Sequence, residues 1–147
     1  MRALVQRVSE ASVSVDGETV GEIGSGLVIL LGVGQDDTEA DGQKLAAKLA
    51  RLRVFDDSSG RMNRSLLDLA DGAAALCVSQ FTLYGDVRRG LRPSFTDAAR
   101  PEAGEALYEA FCESLAGEGV RVERGRFGAR MSVALRNEGP VTLMVEI

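Results

Sequence analysis

Five aliphatic residues in a row, Leu27-Val28-Ile29-Leu30-Leu31, follow a Gly24-Ser25-Gly26 turn. A strand with one wet face alternates apolar and polar residues, so an unbroken run reads as a central strand buried on both sides. Such a strand needs neighbours in its sheet and layers over both faces. A second run, from Ala73 to Val78, has the same character and leads directly into Ser79-Gln80-Phe81-Thr82-Leu83-Tyr84. Upstream, Ala11, Val13 and Val15 alternate with Ser12, Ser14 and Asp16, and Asp16-Gly17 supplies a hairpin turn before Thr19-Val20. The acidic residues Asp36, Asp37, Glu39 and Asp41 gather where a first helix starts, near its positive dipole end. Leu45, Leu49 and Leu52 then recur at helical spacing to about Arg53. Residues 56–69 read as loop and irregular structure. Pro101 suits the first position of a second helix that ends at Gly117, with Ala103, Ala106, Leu107, Ala110, Phe111, Ser114 and Leu115 as its apolar stripe. Two strands close the chain, one over about 130–136 and one with Val141, Leu143, Val145 and Ile147 alternating with polar neighbours. The expectation is one α+β domain over residues 1–147: a largely antiparallel, barrel-like sheet with two main helices.

Composition narrows the chemistry. With 147 residues and 45% hydrophobic side chains, the chain can build its core without disulfides or metal. Cys77 and Cys112 are too few for a disulfide framework and lack metal-site spacing; Cys77 is expected to be a buried thiol. No apolar run approaches the roughly 20 residues that span a bilayer, and the first residues lack a signal-peptide core, so a cytoplasmic protein with no membrane partner is expected. Histidine is absent altogether. Catalysis by Ser-His-Asp or Cys-His pairs, histidine proton shuttles and histidine-bearing zinc sites are thereby excluded.

The net charge of −5 argues against bulk attachment to nucleic acid or an anionic membrane. The charge is uneven, however. Five arginines stand against Glu123 alone between Arg121 and Arg136, and Arg88, Arg89, Arg92 and Arg100 stand against Asp97. Either this is ordinary surface charge or it is a local footprint for a phosphate-bearing partner.

Two segments resist a purely structural account. Ser79-Gln80-Phe81-Thr82 places amide and hydroxyl groups at the exit of a buried strand, where a rigid element can present them. Asn137-Glu138-Gly139-Pro140-Val141-Thr142 puts a proline, which cannot donate to a ladder, between two strand-like runs. The first could equally be a strand end facing water, and the second a hairpin turn. An X-Pro bond can also be cis, and the isomer is not readable from sequence.

With Gln6-Arg7-Val8, Gly90-Leu91-Arg92-Pro93-Ser94-Phe95 and Gly125-Arg126-Phe127, these segments make the whole chain resemble a bacterial D-aminoacyl-tRNA deacylase, of the D-tyrosyl-tRNA(Tyr) deacylase family. The family motifs S-Q-x-x-L and N-x-G-P-x-T are both complete; Glu138 occupies a variable position where many relatives have Asp. The resemblance implies hydrolysis of the ester of D-aminoacyl-tRNA, and of glycyl-tRNA mischarged on tRNA(Ala), as chiral proofreading in translation. It also implies a homodimer in which a cis Gly139-Pro140 pair enters the partner's site. There the two carbonyls would accept from the substrate amino group and close the space an L-side chain needs. Arg7 matches the residue that holds this loop, and Asn137 and Thr142 belong to the same motif.

For the chemistry, the candidate residues are Ser79, Gln80, Phe81 and Thr82. Thr82 is a poor nucleophile without an adjacent base. The resemblance implies instead that the substrate's terminal 2′-hydroxyl activates or orients water, with backbone N–H groups near Phe81 stabilising the oxyanion. Gln80 is expected to position the terminal ribose or base, and Phe127 and Met131 to line an adenosine pocket. No metal or cofactor is expected, and the partners expected are the 3′ end of aminoacyl-tRNA and a second copy of the chain, not DNA. Competing readings are a related editing module with another aminoacyl specificity and a non-catalytic oligomer that binds the tRNA end.

Overall fold

In the computed structural model, which describes residues 1–69 and 73–147, a single long strand organises the sheet. β1 (Arg2–Val15) turns at Asp16-Gly17 into β2 (Glu18–Ile23), and β3 (Gly26–Gly32) follows. Asp16 and Gly17 both have positive φ (51° and 82°), the geometry a two-residue hairpin needs to match strand twist. In its first half β1 lies between β3 and β8 (Ser132–Glu146), and in its second half between β2 and β8, all antiparallel. β3 then pairs in parallel with β6 (Ala74–Ser79), and β6 with β7 (Arg121–Arg124). The antiparallel pairings centre on β1, and the two parallel ones make the sheet mixed.

The sheet curls until it nearly closes. A Cβ on Gly21 of β2 would stand 2.7 Å from the Arg124 carbonyl oxygen of β7 and 3.1 Å from Leu76. At Gly26 a Cβ would fall 1.8 Å from the Ala74 carbonyl oxygen, so only glycine lets β3 start against β6 there. The curl leaves two cores. Inside it pack Val8, Ala11, Val13, Ile23, Val28, Ala74, Leu76 and Val78. Outside, Ala3, Val5, Leu27, Ile29, Leu31, Ala75 and Cys77 meet α1 (Glu39–Ala50) and α2 (Pro101–Gly117). This is why the run from Leu27 to Leu31 could not alternate: both of its faces are covered.

Several expectations shift by small amounts. α1 stops at Ala50 rather than Arg53, and only Glu39 and Asp41 lie in its first turn. Thr38 and Asp41 form a reciprocal cap there, and the Thr38 hydrogen bonds hold the Asp41 carboxyl below its ordinary value. Asp37 instead accepts from the Met1 ammonium, the Gly34 N–H and the Tyr84 hydroxyl. α2 has the expected bounds but a rotated face: Gly104, Tyr108, Phe111, Cys112 and Leu115 are buried, while Ala103 and Ala106 are exposed. The rotation arises because Tyr108 donates its hydroxyl to the Cys77 carbonyl at 2.9 Å, which makes burial of a polar tip tolerable. The stretch 56–69 is not wholly irregular. β4 (Phe55–Asp56) pairs with β5 (Met62–Arg64), and a 3₁₀ turn spans Leu66–Asp68. The two closing strands prove to be one, β8, with no hairpin at Gly139-Pro140.

Candidate active site

β6 delivers the first motif. Its run from Ala74 to Val78 is buried, and Ser79 is its last residue, paired with Leu31 at the end of β3. The Gln80 N–H donates to the Leu31 carbonyl at 2.7 Å, and a 3₁₀ turn follows from Phe81 to Tyr84. The Phe81 and Thr82 N–H groups open this turn, so they have no acceptor within it. The turn packs hard against β3: a Cβ on Gly32 would meet Gln80, Leu83 and Tyr84 at 3.1–3.2 Å. Arg2 lies over the Tyr84 ring, 4.4 Å from its centroid, and donates to the Leu83 carbonyl. Burial, with the Asp37 carboxylate alongside, pushes the Tyr84 phenol up to about 12.

Beyond the carboxyl ends of β3 and β6 opens a cavity of about 530 Å³. Ser79, Gln80 and Phe81 form one side, and Phe127, Gly128, Ala129 and Met131 another. Phe95, Ala98, Ala99, Pro101 and Gly104 form a third, and Leu31, Val33, Val78 and Val133 complete the lining. Phe127 is seated on α2, its ring 6.0 Å from that of Tyr108 and its Cζ 3.5 Å from where a Gly104 Cβ would stand. Among the described residues, none in the lining carries an ionisable side chain. Thr82 is outside the lining; Gln80 Nε2 donates to its hydroxyl at 2.5 Å, and a carboxamide cannot act as a base toward it. Cys77 lies behind the wall, and a hydrogen bond to Cys112 together with burial pushes its thiol well above its ordinary value. Among the described residues no group of three or more Cys, Asp or Glu gathers as a metal site.

The second motif forms a different cluster. β8 pairs with β1 from Thr142 opposite Gln6 and from Asn137 opposite Val8, so residues 138–141 bulge out opposite Arg7 alone. The Gly139–Pro140 bond is cis. Arg7 is 9% exposed and reaches under the bulge: Nε donates to the Glu138 carbonyl at 3.4 Å and Nη2 to the Gly139 carbonyl at 3.5 Å. Nη1 is anchored on the Val54 carbonyl at 2.7 Å and faces Asp56 at 3.4 Å. The Asn137 side-chain amide spans the bulge, donating to the Arg7 and Val141 carbonyls, and Thr142 donates to Asn137 Oδ1. Gly139 and Pro140 are exposed, and neither lines the cavity of its own chain.

The structure thus brings Ser79, Gln80, Phe81, Phe127 and Met131 together, and separately Arg7, Asn137, Gly139, Pro140 and Thr142. Sequence reasoning missed the wall made by Ala98, Ala99 and Gly104, because small apolar residues carry no chemical signature; Phe95 was visible only as the end of the Gly90–Phe95 segment, without a role. The arginine run resolves only in part, since Arg126 and Arg130 are exposed and make no ion pair among the described residues. Arg124 pairs with Glu109 and Arg136 with Glu10, and Arg121 sits opposite Ala74 at the far end of β6 from Ser79.

Comparison with known proteins agrees over the full length. The sequence model of the family described as D-Tyr-tRNA(Tyr) deacylase matches residues 4–146. A D-aminoacyl-tRNA deacylase of Roseiflexus castenholzii is 60% identical, covering 99% of this chain and 92% of the relative. Another, of Ruegeria pomeroyi, is 57% identical over all of both chains. A solved structure named c-Myc DNA unwinding element binding protein superposes with a TM-score of 0.91 at 41% identity, covering 100% of this chain and 99% of the other. A probable eukaryotic D-amino acid tRNA deacylase shares the fold, with a TM-score of 0.82 at 20% identity over 99% and 98% of the two chains. With both motifs in place around a cavity and a bulge, and with relatives of this identity over the whole length, the chain belongs to the D-Tyr-tRNA(Tyr) deacylase family.

Proposed function

We propose that this protein hydrolyses the ester bond of D-aminoacyl-tRNA, and of glycyl-tRNA formed on tRNA(Ala), while excluding L-aminoacyl esters. The observation that carries the reading is the cavity beside Ser79-Gln80-Phe81, whose lining among the described residues holds no ionisable side chain. Such a site supplies no acid, base or activated nucleophile of its own. An aminoacyl ester brings what is missing, since its terminal ribose has a hydroxyl vicinal to the ester that can orient or activate water. The free N–H groups at the start of the Phe81–Tyr84 turn suit the developing oxyanion, and Phe127 and Met131 offer apolar surface to the terminal adenine. Gln80 would hold the ribose through the end of its amide. DNA lacks the hydroxyl this chemistry needs.

Selection between enantiomers falls to Gly139 and Pro140 of a second copy. In support, the bulge projects from its own chain, and β8 exposes Leu135, Leu143 and Met144, with Ile147 just beyond it. An apolar, largely uncovered strand of this kind suits a partner of the same chain. With both carbonyls turned to the substrate amino group, the backbone fills the space an L-side chain would occupy. A glycyl ester has no side chain to exclude.

The test is hydrolysis of matched D-tyrosyl-tRNA and L-tyrosyl-tRNA with EDTA present. Rapid loss of the D-ester alone is expected. Equal loss of both esters would overturn the stereochemical reading, and loss of neither would leave a module that binds the tRNA end without turnover.

A further inference from the structure

Between the Phe81–Tyr84 turn and α2, the chain makes a loop closed by a reciprocal pair of backbone hydrogen bonds, Asp86 N–H to Ser94 carbonyl and Ser94 N–H to Asp86 carbonyl (2.8 and 2.9 Å). Three arginines sit within it, and they are not equivalent. Arg88 is engaged inside the loop: its guanidinium donates to both Asp86 oxygens at 2.7–3.1 Å, and these bonds hold the Asp86 carboxyl down at about 2. Arg89 and Arg92 make no ion pair among the described residues and are exposed. Both line a second hollow, of about 530 Å³, with Asp86, Arg88, Ser94, Thr96 and Asp97; Arg88 is exposed there too, but its guanidinium is taken up by Asp86.

The position of this hollow is set by the segment that separates it from the candidate active site. Ser94 and Thr96 face the arginines, whereas Phe95 between them, at the start of a turn closed by the Ala98 N–H on its carbonyl, faces the first cavity. Phe95 meets the Phe81 ring edge-on, with centroids 5.1 Å apart, so the arginine loop is keyed to the cavity rim. Asp97 is the one carboxylate facing Arg89 and Arg92 that Arg88 does not engage, and Arg100 follows it at the foot of α2. On a chain of net charge −5, cations left unpaired beside the rim point to an anionic partner passing there.

Resting on the aminoacyl-tRNA reading, we propose that Arg89 and Arg92 grip the backbone phosphates of the RNA strand leading into the cavity, while Arg88 serves only to shape the loop. The contact holds the strand without reading its bases. It also explains how a net-acidic protein retains a polyanion: attraction is confined to the rim, and the rest of the surface favours release.

The test is binding of an uncharged acceptor-stem minihelix ending in CCA, followed by fluorescence anisotropy over a salt series. The double variant Arg89→Ala/Arg92→Ala is expected to bind about tenfold more weakly. The slope of log Kd against log salt should fall by about 1.4, the loss of two single-strand phosphate contacts. Arg121→Ala, which removes charge at the opposite end of the sheet, should change neither. Unaltered affinity and slope in the double variant would overturn the proposal. So would a loss matched by Arg121→Ala, which would mean general charge alone. Because the minihelix carries no ester, this result is independent of turnover. On D-tyrosyl esters, the double variant should lose activity toward the tRNA and keep it toward D-tyrosyl-adenosine; equal loss on both would make the loop a support of the cavity and overturn the clamp.

Discussion

The turn from Ser79 to Tyr84 is fixed from behind, by a buried strand, by the Leu31 carbonyl and by close packing on Gly32. The segment from Glu138 to Pro140 hangs from one guanidinium, with solvent on its outer side, and is tied down at its end by Val141, which is buried in the core and whose carbonyl accepts from Asn137. The first region is held by the buried strand that precedes it and by packing on β3, although no residue of the turn itself is buried. The second is held from beneath, where buried Arg7 donates to the Glu138 and Gly139 carbonyls. On the proposed function, chemistry and selection rest on different physical footings, and each should fail in its own way.

The sharpest division is expected in the cavity. Replacing the terminal adenosine by 2′-deoxyadenosine should slow hydrolysis by about 100-fold or more, the range of an assisting acid–base group. Thr82→Ala should retain most activity, because its hydroxyl has only an amide for company. Single-turnover rates on both substrates check this, and a dead but folded Thr82→Ala enzyme would reverse the assignment.

Arg7→Ala probes the other region. It should lower stability by about 2–3 kcal/mol, since the buried Val54 carbonyl loses a charged donor. Its more telling effect should be a fall in the ratio of D-ester to L-ester hydrolysis. Arg7→Lys, which can reach Val54 but not fork across Glu138 and Gly139, should recover stability more than selectivity. A variant that loses both in proportion would show that the bulge needs no dedicated support.

The smallest effect concerns the rear of the turn. Tyr84 is raised to about 12 by burial and by Asp37, so the folded state holds its proton more tightly than the unfolded chain does. Its contribution is complete below pH 10 and declines as pH rises from about 10 to 12. Urea midpoints at pH 8 and 11 should therefore diverge less in Tyr84→Phe than in the parent protein.

Much of this was legible in the sequence because burial leaves a pattern. The unbroken run from Leu27 to Leu31, the Asp16-Gly17 turn and the Pro101–Gly117 helix each follow from local rules. The face of α2 did not, because periodicity marks alanines as apolar and cannot anticipate that Tyr108 finds the Cys77 carbonyl. Nor did the single strand β8, since a proline between two runs signals an interruption, whereas Arg7 across the ladder lets pairing resume. Both site motifs were visible as residues, but only the fold shows that one lines a cavity and the other points away from it. The wall from Ala98 to Gly104 was silent for want of any group that reacts, and Phe95 beside it was visible only as the end of the Gly90–Phe95 segment.

That wall has a consequence for how such a protein can change over generations. Ala98, Ala99, Gly104, Gly128 and Ala129 contribute space rather than contacts. A substitution at these positions can only enlarge a residue, apart from alanine to glycine, so almost every random change there narrows the chamber. Tolerance there is accordingly expected to be one-sided, set by the shape of what must enter although no ionisable group is involved; at Gly128 the positive φ of 73° adds a backbone constraint of its own.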